Sequence, residues 1–212
     1  MKAAEATDIP VQSWLLSLKY MKQVKIMAKK GNLIVFEGTD GTGKTTQSKL
    51  LINFLKSKKI PYEYVSFPRY EDSLWAVQIR RFLLGEMGKR VDPYFSSMLY
   101  AGDRLSASAQ IKKWLSEGKF VVCNRYVGSN IGHMGAKFEK PEERQKYTQW
   151  LEKLEYEENN IPKEDLVILL QIPTNVTKGL MHKRNLDIHE KNQKYQEEVY
   201  WVYDYVSKQK KN

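Results

Sequence analysis

Gly38-Thr39-Asp40-Gly41-Thr42-Gly43-Lys44-Thr45 has the spacing that cradles a phosphate chain: two glycines separated by four residues, then Lys and a hydroxyl residue. The glycines let backbone N–H groups turn inward on an anion, and a helix starting at the loop adds the positive end of its dipole. Lys44 is spaced to reach the terminal phosphates of a nucleotide. Thr45, followed by Thr46, is spaced to offer its hydroxyl to Mg²⁺. An apolar run, Leu33 to Phe36, leads in, and an amphipathic stretch, Gln47 to Leu55, leads out. That is the strand–loop–helix setting the chemistry requires. A glycine-rich turn without a ligand would explain the glycines but not their flanks.

Four further groups follow apolar runs or lie on helical stretches, where open α/β sheets bind ligands. In Phe67-Pro68-Arg69-Tyr70, Arg69 is either a phosphate fork or a surface residue beside a turn. Tyr100 and Arg104 lie one helical turn apart. They can stack a base and hydrogen-bond its edge, or form a core tyrosine beside a surface ion pair. Arg125 follows Cys123-Asn124 and can clamp a phosphate. Ser129 and Asn130 either read a base or cap the next helix, and His133 is assigned no acid–base role. Lys183-Arg184, before Asp187 and Glu190, is a basic connector able to close as a lid, or ordinary helix punctuation.

The elements that must position these groups alternate. Strands are expected near Asn32–Glu37, Tyr62–Phe67, Phe120–Cys123 and Leu166–Ile172, the last an apolar run typical of a central parallel strand. Helices are expected from the loop to about Lys58, then near Leu74–Leu84, Pro93–Ser116, Pro141–Glu158, Asn175–Lys183 and Ile188–Ser207. This order predicts a parallel sheet covered by helices on both faces. Residues 1–30 read as an N-terminal appendage, mildly amphipathic through Trp14, Leu15, Leu18 and Met21. Residues 31–212 read as one domain. Met27 is a plausible alternative start, so residues 1–26 are an appendage or a misassigned start.

The 212 residues carry a net charge of +10, with 42% hydrophobic residues, enough for a core. The basic residues are scattered, and no zinc-finger spacing or RNA-binding signature appears, so no nucleic-acid partner is expected. No apolar run approaches the roughly 18 residues of a membrane span, so no membrane partner is expected either. The single Cys123 cannot form a disulfide within one chain and suits the reducing cytoplasm.

From about Asn32 to Ser207 the chain resembles thymidylate kinases. The resemblance rests on Phe36 to Gln47, Phe67-Pro68-Arg69, Tyr100 to Arg104, Asn124-Arg125-Tyr126 with Ser129, and Asp187-Ile188-His189-Glu190. It implies a P-loop kinase fold with strand order 2-3-1-4, a fifth edge strand missing from a C-terminally short chain, and a homodimer. It implies phosphorylation of dTMP to dTDP by Mg²⁺-ATP, a step of nucleotide biosynthesis. Asp40 would contact the sugar 3′-hydroxyl, and Arg69 and Arg125 the acceptor phosphate. Phe67 would line the acceptor pocket, Tyr100 would stack on thymine, and Arg104, Ser129 and Asn130 would meet its edge. Where some members carry a loop Arg, this chain has Gly41, so the catalytic cation would come from Lys183 or Arg184. Asn124 replaces the usual Asp, and His133 replaces an aromatic against the deoxyribose. Those departures leave two alternatives: another nucleoside monophosphate kinase, or a nucleotide-binding protein with little catalysis.

Overall fold

The computed structural model describes residues 31–70, 73–88, 91–172 and 192–209. The appendage, the expected helix at 175–183 and the lid at 183–190 lie outside them.

Alternating side chains build the sheet's two faces. In β1 (Asn32–Glu37), Leu33 and Val35 point to one face, with Val121 and Cys123 of β3 (Phe120–Asn124). Ile34 and Phe36 point to the other, with Phe120 and Val122. The second face is covered by α1 (Lys44–Ser57), whose Leu55 is fully buried. The first is covered by α2 (Leu74–Leu83) and α3 (Pro93–Ser116), through Ile79, Phe82 and Ile111. Ser73 caps α2 by accepting from Ala76 N–H, and Asp92 caps α3 by accepting from Phe95 N–H.

The sheet runs β2-β3-β1-β4, all parallel, with β2 at Tyr62–Ser66 and β4 at Leu166–Leu169. Register then decides where function can lie. Phe36 pairs with Asn124, and Asn124 pairs with Ser66. Three strands therefore end level, and the loops at 38–43, 67–70 and 125–126 emerge side by side.

Three expectations change. Composition alone points to a central strand at 166–172, but the run ends the described sheet, in keeping with the order 2-3-1-4 that the resemblance implies, and its Val167 is half exposed. Apolar runs report cover on the faces of a sheet, not how many neighbours a strand has. A helix not foreseen, α4 (Val127–Gly135), begins two residues after Arg125. Its glycines and Asn lower helical propensity, and packing overrides them. The helix at 141–158 is α5 (Pro141–Glu152) running into a π-helical turn, Lys153–Glu158. The last described helix, α6 (Gln193–Gln209), packs on α4.

Gly38 ties the loop to the sheet. Its φ is 138°, and an added Cβ would lie 2.2 Å from the Leu170 carbonyl oxygen, a backbone atom. Gly38→Ala is expected to lose about 1–3 kcal/mol in urea denaturation, because neither strand end can move without breaking β1–β4 pairing.

Candidate active site

The loop closes on itself through Lys44. Its ammonium donates to the carbonyls of Gly38 (3.0 Å) and Thr39 (2.6 Å), and Thr42 Oγ1 donates to Thr39 O. Gly43 enters α1 with φ 86°, the left-handed conformation that glycine tolerates without strain. The first backbone N–H groups of α1 have no side-chain cap there, as an anion cradle requires.

Arg125 sits beside this loop. Its own φ is 66°, a conformation costing an L-residue about 1–2 kcal/mol. Its N–H pairs with Phe36 O at 2.9 Å, so the level ends of β1 and β3 hold it there. The guanidinium pairs with Asp40 and donates from Nη1 to Gly38 O (3.3 Å) and Ser129 Oγ (3.1 Å). His133 Nε2 lies 3.3 Å from the same nitrogen. Burial alone would raise the Asp40 carboxyl. The charges of Arg125 and Lys44 outweigh it and hold Asp40 well below the usual carboxylate range. Burial alone would lower Arg125, and Asp40 reverses that, so Arg125 remains a cation.

Ser129 and Asn130 do not cap α4. The cap position is Tyr126, and both residues lie inside the helix. Ser129 Oγ donates to Glu37 (2.7 Å), and Asn130 Nδ2 donates to Ser97 O (3.2 Å). The remaining acceptor-pocket candidates stand on α3 and beside it. Arg69 is no free surface residue: its Nε donates to Asp103 Oδ1 (3.1 Å), its backbone N–H to Asp103 Oδ2 (2.9 Å), and Ser73 also donates to Oδ1. Arg104 is 1% exposed and forms a buried ion pair with Glu155 of the π-helical turn, while Nη1 donates to Tyr126 O. Tyr100 is half-buried, edge-on to Phe82, and Phe67 is buried against Tyr126. Thus Asp40, Lys44, Arg125, Ser129 and His133 form one group, and Arg69 and Arg104 hang on two separate carboxylates.

Thr45 and Asn124 meet at the cradle. Asn124 Nδ2 lies 3.3 Å from Thr45 Oγ1, and Asn124 Oδ1 is buried without a partner. A hydroxyl and an orphaned amide oxygen suit a hard, hydrated cation such as Mg²⁺, which needs few protein ligands when phosphate oxygens supply the rest. The departure from Asp removes a charge but keeps an oxygen.

Three organising side chains, Glu37, Glu155 and Tyr203, had no role assigned from sequence, and Asp103 had only a surface ion pair with Arg104, whereas it pairs with Arg69. Glu37, Asp103 and Glu155 are buried carboxylates, and Tyr203 of α6 donates to Glu37 at 3.0 Å. A charged residue ending an apolar strand, as Glu37 does, was the available signal, because carboxylates are rarely fully buried unless paired. Glu155 gave none, since the π-helical turn shifts it off the α-helical period.

A family model described as thymidylate kinase matches residues 36–212. The chain is 35% identical over 105 residues to a thymidylate kinase of Plasmodium falciparum, covering 50% of this chain and 49% of that protein. It is 35% identical over 151 residues to a probable thymidylate kinase of Pyrococcus horikoshii, covering 68% and 66%. The matches span about half the length of several such relatives. Its fold is similar to a solved thymidylate kinase structure from Candida albicans, with a TM-score of 0.68 at 24% identity over 84% of this chain and 78% of that one.

The Arg125–Asp40 pair has a pH signature. Asp40 has a folded pKa below its unfolded value of about 3.9, so the pair's contribution is present above that value and is lost as pH falls through the folded one. In urea melts, the stability gap between wild type and Arg125→Met is expected to be widest near neutrality and to narrow below about pH 4. A gap that widens in acid contradicts the assignment.

Proposed function

This chain belongs to the thymidylate kinase family, and on that premise we propose that it transfers the γ-phosphoryl group of Mg²⁺-ATP to dTMP, giving dTDP and ADP. The observation that carries the reading is the Arg125–Asp40 pair standing against the first carbonyl of the phosphate loop. A cationic fork and a carboxylate beside a triphosphate cradle are what an acceptor with one phosphate and one sugar hydroxyl needs.

In this reading the loop amides from Gly38 to Thr46 and the Lys44 ammonium bind the triphosphate. Mg²⁺, when bound at Thr45 near Asn124, neutralises charge on the phosphate oxygens. Arg125 and Arg69 hold the dTMP phosphate, Asp40 accepts from the 3′-hydroxyl and Tyr100 stacks on thymine, while Arg104, buried against Glu155 and Tyr126 O, meets the thymine edge only once its side chain is uncovered. An oxygen of the dTMP phosphate attacks the γ-phosphorus in line. The bond from that phosphorus to the β,γ-bridging oxygen breaks, and ADP leaves with the electron pair. The protein's contribution is position and charge, with Lys183 and Arg184 as the cations of the lid. A second reading, an acceptor other than dTMP, draws on His133, half-buried beside Arg125 where an aromatic would guard the sugar.

ADP release measured across dTMP, dUMP, dCMP and the ribonucleotides is expected to favour dTMP, and a flat profile or none contradicts the proposal. Lys44→Ala is expected to lower kcat by about 10²-fold or more. Arg184→Ala is expected to lower kcat more than it changes KM for dTMP.

We also propose a homodimer. Phe95, Met98 and Leu105 lie exposed on α3, and the neighbouring Leu74 is 85% exposed on α2. An apolar patch on two packed helices suits a second copy of the same surface. A cytoplasmic setting accords with Cys123, a buried thiol whose pKa burial pushes well above its ordinary value. No described helix is long and apolar enough to cross a membrane. Light scattering is expected to give a dimer for the wild type and a monomer for Leu105→Glu.

A further inference from the structure

Glu37 takes no part in the chemistry above, yet it is 2% exposed and lies one residue before the loop. Its carboxylate accepts four hydrogen bonds. Oε1 accepts from the backbone N–H groups of Tyr126 (2.7 Å) and Ser129 (3.0 Å). Oε2 accepts from Ser129 Oγ (2.7 Å) and from the Tyr203 hydroxyl (3.0 Å). A buried carboxylate this well supplied with donors is satisfied without a cation in contact.

The direction of each bond is fixed by what each group is able to do. A guanidinium only donates and a carboxylate only accepts. Ser129 Oγ lies between them, 3.1 Å from Arg125 Nη1 and 2.7 Å from Glu37 Oε2. The serine proton must therefore point at Glu37, which turns an oxygen lone pair toward Arg125. We propose that Glu37 is a positioning residue that sets the orientation of Arg125 through the Ser129 hydroxyl, and that Tyr203 of the last helix completes this relay. The functional part rests on reading Arg125 as the acceptor-phosphate ligand.

Tyr203 is built into the relay rather than resting near it. Its ring packs on the backbone of α4 at Gly132, where an added Cβ would lie 2.6 Å from ring carbon Cε2. His133 meets the same ring edge-on, with centroids 6.5 Å apart. Burial, with Glu37 adding to it, pushes the Tyr203 hydroxyl well above its ordinary value, so it stays a donor. Tyr195 of the same helix donates to His133 O at 2.6 Å. Docking of α6 therefore reaches the clamp at two points, and Gly132 is the residue that lets it approach.

Glu37→Gln is the discriminating variant. It keeps shape and one oxygen for the two backbone donors, and replaces the other oxygen with an NH₂ group. Ser129 then loses the acceptor for its proton and no longer holds a lone pair fixed toward Arg125. Glu37→Gln, Ser129→Ala, their double variant and Tyr203→Phe are compared by KM for dTMP, KM for ATP, kcat and the ¹⁵N guanidinium signal of Arg125 in the free protein. Glu37→Gln is expected to raise KM for dTMP about tenfold while KM for ATP stays within about twofold, as for loss of a hydrogen bond to a charged group. In the Ser129→Ala background the same change is expected to do much less, because its route is already cut. Tyr203→Phe is expected to fall between, and its milder change keeps the test open should Glu37→Gln fold poorly. Effects of Glu37→Gln and Ser129→Ala that multiply independently, or KM values for ATP and dTMP that rise together, overturn the proposal. So does an Arg125 signal unmoved in both Glu37→Gln and Tyr203→Phe. If wild type ignores dTMP while the Arg125 signal moves in the variants, the proposed substrate is wrong and the relay stands.

Discussion

The constraint on which this molecule depends is the level ending of three parallel strands. Phe36, Asn124 and Ser66 stand in one row across β1, β3 and β2. A parallel sheet puts the carboxyl ends of its strands on one edge, and helices covering both faces leave that edge as the place where loops can meet. Slipping β3 by one residue would invert its side chains, sending Val121 and Cys123 to the wrong core. It would also carry Arg125 away from Asp40. The same hydrogen-bond ladder therefore fixes the core and the site.

Because the edge gathers cations, it must also supply anions. Arg125 has Asp40, Arg69 has Asp103, and Arg104 has Glu155. Removing one partner of a buried pair leaves a charge uncompensated, at a cost of about 3–5 kcal/mol, whereas the intact pair adds little net stability. These pairs are better understood as placing guanidinium groups than as holding the fold together. Glu155 Oε2 is buried without a partner, which makes the Arg104 pair the least satisfied of the three. A π-helical turn, rare and concentrated at functional sites, is what brings Glu155 there.

Much of this was legible in the sequence because local chemistry and global fold agree. Gly38 to Thr45 announces itself by spacing, and β1, β3 and α3 by apolar pattern. What was illegible depends on distance along the chain. Tyr203 meets Glu37 across 166 residues, and no period relates them. Composition hid the place of β4 at the end of the described sheet, because Leu166 to Leu169 reads as a central strand, and only the order implied by the resemblance gave it. Helix α4 was hidden because Gly128, Gly132 and Gly135 argue against a helix. Gly128 leaves space beside the Glu37 side chain, and Gly132 admits the Tyr203 ring. Three-dimensional fit selected both against propensity.

The described cations at the cradle are already engaged by the protein. Lys44 bonds two carbonyls of its own loop, and Arg125 and Arg69 are held by carboxylates. On the proposed function, phosphate binding is then an exchange of partners rather than an addition of contacts. Each charge-assisted hydrogen bond is worth ~1.5–3 kcal/mol against water, but the gain on exchange is the difference between two such bonds. A single phosphate group gains little from such a swap. On the same reading, a nucleotide whose sugar and base are also enclosed adds apolar burial, for which the internal ion pairs offer no substitute. Pre-pairing thus takes affinity away from stray anions and leaves it to ligands of the right length. It does so without a moving part, by giving each guanidinium a carboxylate to return to.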